Sequence, residues 1–321
     1  MLEINDFKFK ILPHKELINT LFPIKQITSF STLNNRANLM VQNGCNNYCT
    51  YCIIPYARGK ETSENFTELL KSATLMSENS IQEIIITGIN VGAYSYEGKT
   101  LADLIIELSN LKNIQRIRLS SIEVNHLTPQ LIDCFKHTPK LMSHLHIPLQ
   151  SGSDKILKQM NRKYDSAFFV DKINQLKNQI PNLKISTDIL VGFPDETDND
   201  FKDTINIINQ CNFSHLHCFK YSKRENTPAA NFANQVSDEQ KSFRMETLQT
   251  LSSSLQKNHL QQKVGQTCEV LFDTFKNGQN TGYNEHYELV SISCEKTLRN
   301  TFRSVSIKNV LNEQLLGDLL N

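Results

Sequence analysis

Along the chain, short apolar runs alternate with stretches whose apolar residues recur at helical spacing, and this begins at Ala37. Strands are expected at Asn38–Gln42, Glu83–Thr87, Arg116–Leu119, His144–Ile147, Lys184–Val191 and Phe213–Phe219. Between them the spacing predicts helices at Ser63–Glu78, Leu101–Leu108, Pro129–Phe135, Asp154–Met160 with Ser166–Asn178, and Glu196–Gln210. Strands and helices in this alternation give a parallel sheet with right-handed crossovers. Six units are too few to close an eight-stranded barrel, so the expected fold is α/β, an open partial (β/α)6 barrel.

The pattern then changes twice. Val236–Lys263 reads as one long helix with Phe243, Leu248, Leu251 and Leu255 as its apolar stripe. Val264–Asn321 breaks into short alternating runs, Cys268–Phe272, Gly282–Tyr283, Glu288–Ile292 and Ser304–Ile307, with turns at Asn277-Gly278 and Asn284. Such runs predict a small antiparallel β-barrel. Ahead of the sheet, Met1–Leu39 carries apolar fragments broken by Pro13 and Pro23 and reads as a lead-in. The expected organisation is therefore a lead-in over 1–36, an α/β core over 37–235, a connecting helix over 236–263 and a terminal barrel over 264–321.

Composition narrows the function classes. A chain of 321 residues can bury one large core and one small one. With a net charge of +1 there is no overall electrostatic footprint, so an RNA partner would have to be held by local patches and shape. From Lys257 onward seven basic residues meet seven acidic ones, so any RNA grip in the terminal barrel is patch-like. No apolar run approaches the roughly 18 residues of a membrane span, and the N-terminal stretch lacks a signal peptide's apolar core. The expected setting is a reducing cytoplasm, with no membrane partner. No GxGxxG or P-loop pattern occurs, which leaves dinucleotide and triphosphate readings without support.

The candidate chemistry is concentrated in Asn43–Ser63, NGCNNYCTYCIIPYARGKETS. Cys45, Cys49 and Cys52 follow C-x3-C-x2-C spacing, in a loop signalled by Gly44 and Asn46-Asn47. Structural zinc wants four ligands, commonly in two pairs, and no second CxxC pair exists. Three thiolates suit an iron–sulfur cluster better, since one iron is left open to a small molecule; zinc remains the alternative. Cys134, Cys211, Cys218, Cys268 and Cys294 are scattered among apolar neighbours and read as core cysteines. His144 with His146, and His215 with His217, each share one strand face. They read as hydrogen-bonded lining of the barrel rather than as metal ligands.

Parallel barrels keep their active sites at the carboxyl ends of the strands, which makes the segments there candidates. Glu123, after the third strand, is suited to ribose hydroxyls or an ammonium. Gln150, Ser151 and Gly152, after the fourth, are suited to a nucleoside, with Ser153 as a helix cap. After the sixth, Lys220, Lys223 and Arg224 with Tyr221 form a basic patch for phosphate and base. Arg58, Lys60, Arg162 and Lys163 are expected on the same rim.

The run GCNNYCTYCIIPYARG, with Tyr51 before the last cysteine, resembles the radical S-adenosylmethionine (SAM) superfamily. More narrowly it resembles the tRNA methylthiotransferases, especially the threonylcarbamoyladenosine branch. PLQSGSDKILKQMNRKY, STDILVGFPDET and FKYSKRENTPAA resemble further segments of that family, and VGQTCEVLFD with TGYNEHYELVSI resembles its C-terminal RNA-binding (TRAM-like) barrel. The resemblance implies one [4Fe–4S] cluster on Cys45, Cys49 and Cys52, whose open iron is chelated by SAM. Reductive cleavage of SAM then yields a 5′-deoxyadenosyl radical. It implies that Gly88-Ile89-Asn90 receives the methionine amino group, that the strand before Gly192 borders the adenine, and that Glu123, Gln150 and Ser151 help hold SAM. Implied partners are tRNA and an electron donor such as flavodoxin or ferredoxin. The implied reaction adds a methylthio group to C2 of N6-threonylcarbamoyladenosine at tRNA position 37.

Members of that family begin with a domain of over a hundred residues carrying three further cysteines, whereas no cysteine precedes Cys45 here. Three expectations follow. The chain works with a separately encoded N-terminal domain; or it is a degenerate homologue that binds SAM or tRNA without sulfur insertion; or it is a zinc-binding RNA module.

Overall fold

Each strand-like run returns to the same sheet because the amphipathic helix after it packs back on the outer face. The computed structural model describes residues 35–320, so the lead-in lies outside the described residues up to position 34. Among the described residues, the parallel strands are β1 (Arg36–Asn43), β2 (Glu83–Gly88), β3 (Arg116–Leu119), β4 (His144–His146), β5 (Lys184–Val191) and β6 (His215–Lys220). They stand in chain order: β1, β2 and β3 form one hydrogen-bonded set and β4, β5 and β6 another. Single bridges Ile117↔Leu141 and Ser121↔His146 join the two sets into one curved, open sheet.

The crossover helices are α1 (Phe66–Glu78), α2 (Leu101–Ser109), α3 (Pro129–His137), α4 (Asp154–Gln159), α5 (Ser166–Gln179) and α6 (Asp198–Cys211). Their apolar stripes, such as Leu69, Ala73 and Met76 of α1, meet the outward strand residues Leu39, Val41, Ile84 and Ile86 in one core. Two helices start later than their periodicity suggests. Thr62–Ser63 pairs antiparallel with the end of β1, so α1 is capped at Asn65, whose side chain accepts from Glu68 N–H. Likewise Thr197 caps α6 in a capping box with Asp200.

The long helix α7 (Asp238–Gln261) leads to a closed barrel of β7 (Thr267–Lys276), β8 (Gln279–Tyr283), β9 (Leu289–Ser293), β10 (Thr301–Leu311) and β11 (Gln314–Leu319). The expectation of a purely antiparallel barrel is corrected at one seam, where β9 and β11 pair in parallel. The last strand had no sequence signal because its hairpin turn is Asn312-Glu313, both at positive φ (48° and 60°), without the glycine that usually marks such a turn.

The small barrel docks on the amino ends of β1, β2 and β3. Glu83, fully buried, pairs with Arg36 (2.6 Å) and Arg118 (3.1 Å). Arg116 donates to the carbonyls of Glu269 (2.6 Å) and Tyr283 (3.0 Å), and Arg118 to those of Asn284 (2.5 Å) and Glu285 (3.1 Å). No helix of the described residues is long and apolar enough to cross a membrane.

Candidate functional site

At the opposite, carboxyl end of the sheet, β1 runs into the cysteine loop through Gly44. There φ is +71°, and a Cβ would lie 2.1 Å from the Lys60 carbonyl, so only glycine fits. The loop is fastened at many points. Cys45 N–H donates to Gly59 O (3.2 Å), Thr50 N–H to Met160 O (3.1 Å), and Ala229 N–H to Thr50 O (2.9 Å). Asn161 Nδ2 donates to the carbonyls of Asn47 (3.1 Å) and Tyr48 (3.0 Å). The residues after α4 thus hold the loop from below.

Within the loop, two of the three thiols are shifted. Burial pushes the Cys45 thiol up, and charge on Cys49 and Cys52 adds to the rise although the Asn47 N–H opposes it. Cys52 is raised by burial as well, opposed by the Ile54 N–H and then pushed up again by Cys49. Asn47 N–H points at Cys45 Sγ (3.5 Å) and Arg162 Nη1 at Cys49 Sγ (3.4 Å). No group of three His, Cys, Asp or Glu side chains among the described residues closes on a single ion. A donor set of three cysteines supplied with N–H···S donors fits a cluster.

The wall beside the loop is built from strand ends. Gln42, buried at the end of β1, donates to Gly44 O (2.8 Å) and accepts from Asn90 N–H (2.7 Å), tying the loop to the exit of β2. Sequence reasoning missed Gln42, because nothing in MVQNGC separates it from any polar residue at a strand end. Gly88 lies against it: a Cβ would sit 2.7 Å from Gln42 O. Asn90 is buried, its Oδ1 within 3.1 Å of His126 Nδ1. Burial lowers the His126 pKa, so that imidazole is neutral near pH 7 and its Nδ1–H donates to Asn90. Gln150 stands at φ +69° with its backbone bonded to Asp188 O (2.8 Å) and Leu190 N–H (2.9 Å). Gly192, at φ +73°, gives its N–H to Glu196 (3.1 Å), and a Cβ there would strike Lys241 of α7. Glu196 is in turn buried against Arg244 (2.6 Å).

Several expected contacts are placed elsewhere. Ser151 is buried inside the fold, its Oγ engaged by Ser153 N–H (3.2 Å) and Thr204 (3.4 Å). Gly152 is there for close packing, with Thr204 Cα 2.6 Å from a would-be Cβ. Arg162 lies inside rather than out on the rim: its side chain is 4% exposed and pairs with Glu123. Tyr221 is buried against Phe193 (ring centroids 5.5 Å), so it offers no face to a base. Arg58, Lys60, Lys163, Lys220, Lys223 and Arg224 are exposed. Arg224 lies near enough to Cys52 for its charge to favour that thiolate.

The histidine pairs line a cavity of about 730 Å³ to which His259, Tyr283, His286 and Tyr287 also contribute. His146 donates to Asp188 (3.1 Å) and meets Ser186 (3.0 Å). Burial holds His144 down to about 3 and His259 to about 4, so both are neutral structural groups.

An open six-stranded αβ sheet with a three-cysteine loop after its first strand defines a radical SAM domain, and the Radical SAM superfamily model matches residues 39–208. The chain is 41% identical to the Bacillus subtilis threonylcarbamoyladenosine tRNA methylthiotransferase MtaB over 78% of its own length. It is 36% identical to the tRNA-2-methylthio-N(6)-dimethylallyladenosine synthase of Ehrlichia chaffeensis, covering 96% of this chain and 73% of the relative. It belongs to the radical SAM tRNA methylthiotransferase family. Its matched part spans 58% of the length of the Bacillus relative. Among solved structures, Escherichia coli coproporphyrinogen III oxidase shares the fold, with a TM-score of 0.55 at 12% identity over 82% of this chain and 69% of that one.

Proposed function

We propose that the chain is the radical SAM module of a tRNA methylthiotransferase acting at C2 of N6-threonylcarbamoyladenosine, position 37. The observation that carries this reading is the loop itself: three cysteines at the carboxyl end of the sheet, fastened by hydrogen bonds to Met160 and Asn161 after α4. Cys45, Cys49 and Cys52 would hold a [4Fe–4S] cluster. Gly88 and Asn90, with Gln150 and Gly192, would frame SAM, and Glu123 would face its ribose from beside Arg162. When bound, the cluster and SAM supply one-electron chemistry able to break an unactivated C–H bond, which acid–base groups of ordinary pKa cannot do.

Arg58, Lys220, Lys223 and Arg224 would meet tRNA phosphates on the open rim, assisted by the terminal barrel, and flavodoxin or ferredoxin would supply electrons. The remaining cysteines do not form a second sulfur site. Cys134 lies in α3, Cys211 in α6, Cys218 in β6, Cys268 in β7 and Cys294 just past β9, so they are dispersed through the fold. The inserted sulfur would then come from a group other than these cysteines.

The threonylcarbamoyl substrate is favoured over a dimethylallyl one by the higher identity to the Bacillus relative. Mass spectrometry of tRNA nucleosides from cells with and without the gene tests it. Loss of the methylthio-threonylcarbamoyl nucleoside is expected; loss of the dimethylallyl one instead would overturn the substrate assignment. Iron and sulfide analysis after anaerobic reconstitution tests the cluster, and stoichiometric zinc without iron would sink it.

A further inference from the structure

We propose that Arg162 sets the reduction potential of the cluster by placing a fixed positive charge and an N–H donor against the Cys49 sulfur. The proposal rests on the cluster reading above and deepens it by naming a positioning residue. Arg162 arrives there by local necessity. Helix α4 ends at the fully buried Met160, the chain turns at Asn161 (φ +61°), and Asn161 is bound to the cysteine loop. The next side chain is thereby sent under the loop rather than into solvent.

All three guanidinium nitrogens are engaged. Nη1 donates to Cys49 Sγ (3.4 Å), Nη2 to a Glu123 carboxylate oxygen, and Nε to the Tyr164 hydroxyl (2.9 Å). Tyr164 can only be an acceptor for Arg162, because its own proton is directed to the Pro148 and Leu149 carbonyls (2.9 Å each). The fork is therefore fixed in direction, and little of it is left for an RNA phosphate. Solvent and salt screen such a buried charge weakly, unlike the exposed Arg224 near Cys52. A cation already in place and an N–H···S bond would both favour the reduced form of a bound cluster and raise its potential. Glu123 works in the opposite direction, since its carboxylate is paired with Arg162 Nη2 and offsets part of that positive charge.

The test uses the full chain, reconstituted anaerobically and titrated without SAM, with the reduced cluster followed by electron paramagnetic resonance. Arg162→Gln is expected to lower the reduced-to-oxidised ratio at a fixed potential at least tenfold, about 59 mV for a one-electron couple. Arg162→Lys, which keeps the charge but not the fork, should recover part of that loss. Arg224→Gln should move the ratio less than Arg162→Gln, and Glu123→Gln should move it the other way. An Arg162→Gln protein with its full iron content and an unshifted ratio overturns the proposal. If that variant fails to assemble a cluster, Glu123→Gln decides, and an unshifted or lowered ratio overturns it. Wild-type protein that takes up no iron sinks both this proposal and the cluster reading; an intact cluster indifferent to all four variants sinks this one alone.

Discussion

The two ends of the sheet bury arginines for different ends. At the amino end, Arg116 and Arg118 spend most of their donors on backbone carbonyls of the small barrel, with Glu83 as the carboxylate between them. Those partners cannot leave without undocking the barrel, so the cluster of charges acts as a joint. At the carboxyl end, Arg162 gives its donors to a sulfur, a carboxylate and a phenol. Two of these belong to the groups expected to take up a cofactor. The same side chain, equally buried, is therefore structural where its partners are backbone and functional where they are exchangeable ligands.

The contrast is broken most severely at the cysteines. Replacing Cys45, Cys49 or Cys52 with alanine should abolish iron uptake and nucleoside modification while leaving the circular dichroism spectrum near that of wild type. A variant that keeps its full iron content would show that the loop is not the cluster site. Next comes the joint. Glu83→Ala leaves a buried arginine pair without its carboxylate and should cost about 3–5 kcal/mol, as breaking a buried ion pair does. Urea denaturation measures the loss, and proteolysis should cut between α7 and β7 earlier than in wild type; unchanged stability would remove the idea of a joint.

A smaller effect is expected from pH. His144 and His259 are held neutral in the fold, with pKa values of about 3 and about 4 against an unfolded value near 6.5. Below pH 6.5 the unfolded chain binds protons that the folded chain does not, so stability is full above that pH and falls as acid is added. The slope is at most about 1.4 kcal/mol per pH unit for each histidine down to its folded pKa. Thermal melts between pH 7 and pH 5 check it, and His144→Asn should flatten the slope; a slope unchanged by that substitution would contradict the burial argument. The smallest change is expected at the rim. Arg58→Ala or Lys223→Ala should weaken tRNA binding a few-fold and lower the salt dependence by about one counterion each. Filter binding across a salt series measures this, and an unaltered slope would take those residues off the RNA path.

The cysteine spacing, the six-fold alternation of strands and helices and the change of pattern after Lys263 were all legible in the chain. They depend on residues close in sequence: thiols within one loop, and apolar residues two or 3.6 apart. Even the mis-set start of α1 was a local matter of a cap. What the chain alone did not disclose is which charged and polar residues turn inward. Arg162 in QMNRKY and Tyr221 in FKYSKR sit in sequence among polar and charged residues and read as surface, and Ser151 reads as free.

Only the tertiary structure shows where these side chains lie, since each placement is settled by a distant partner. Arg162 meets Cys49 113 positions away, and Ser151 meets Thr204 53 positions away. Backbone preference and hydrophobic period are encoded locally, so they can be read along the chain. The burial of a charge is decided by whether a counter-group, itself fixed by another crossover, arrives at hydrogen-bonding distance, and that is a property of the packed molecule.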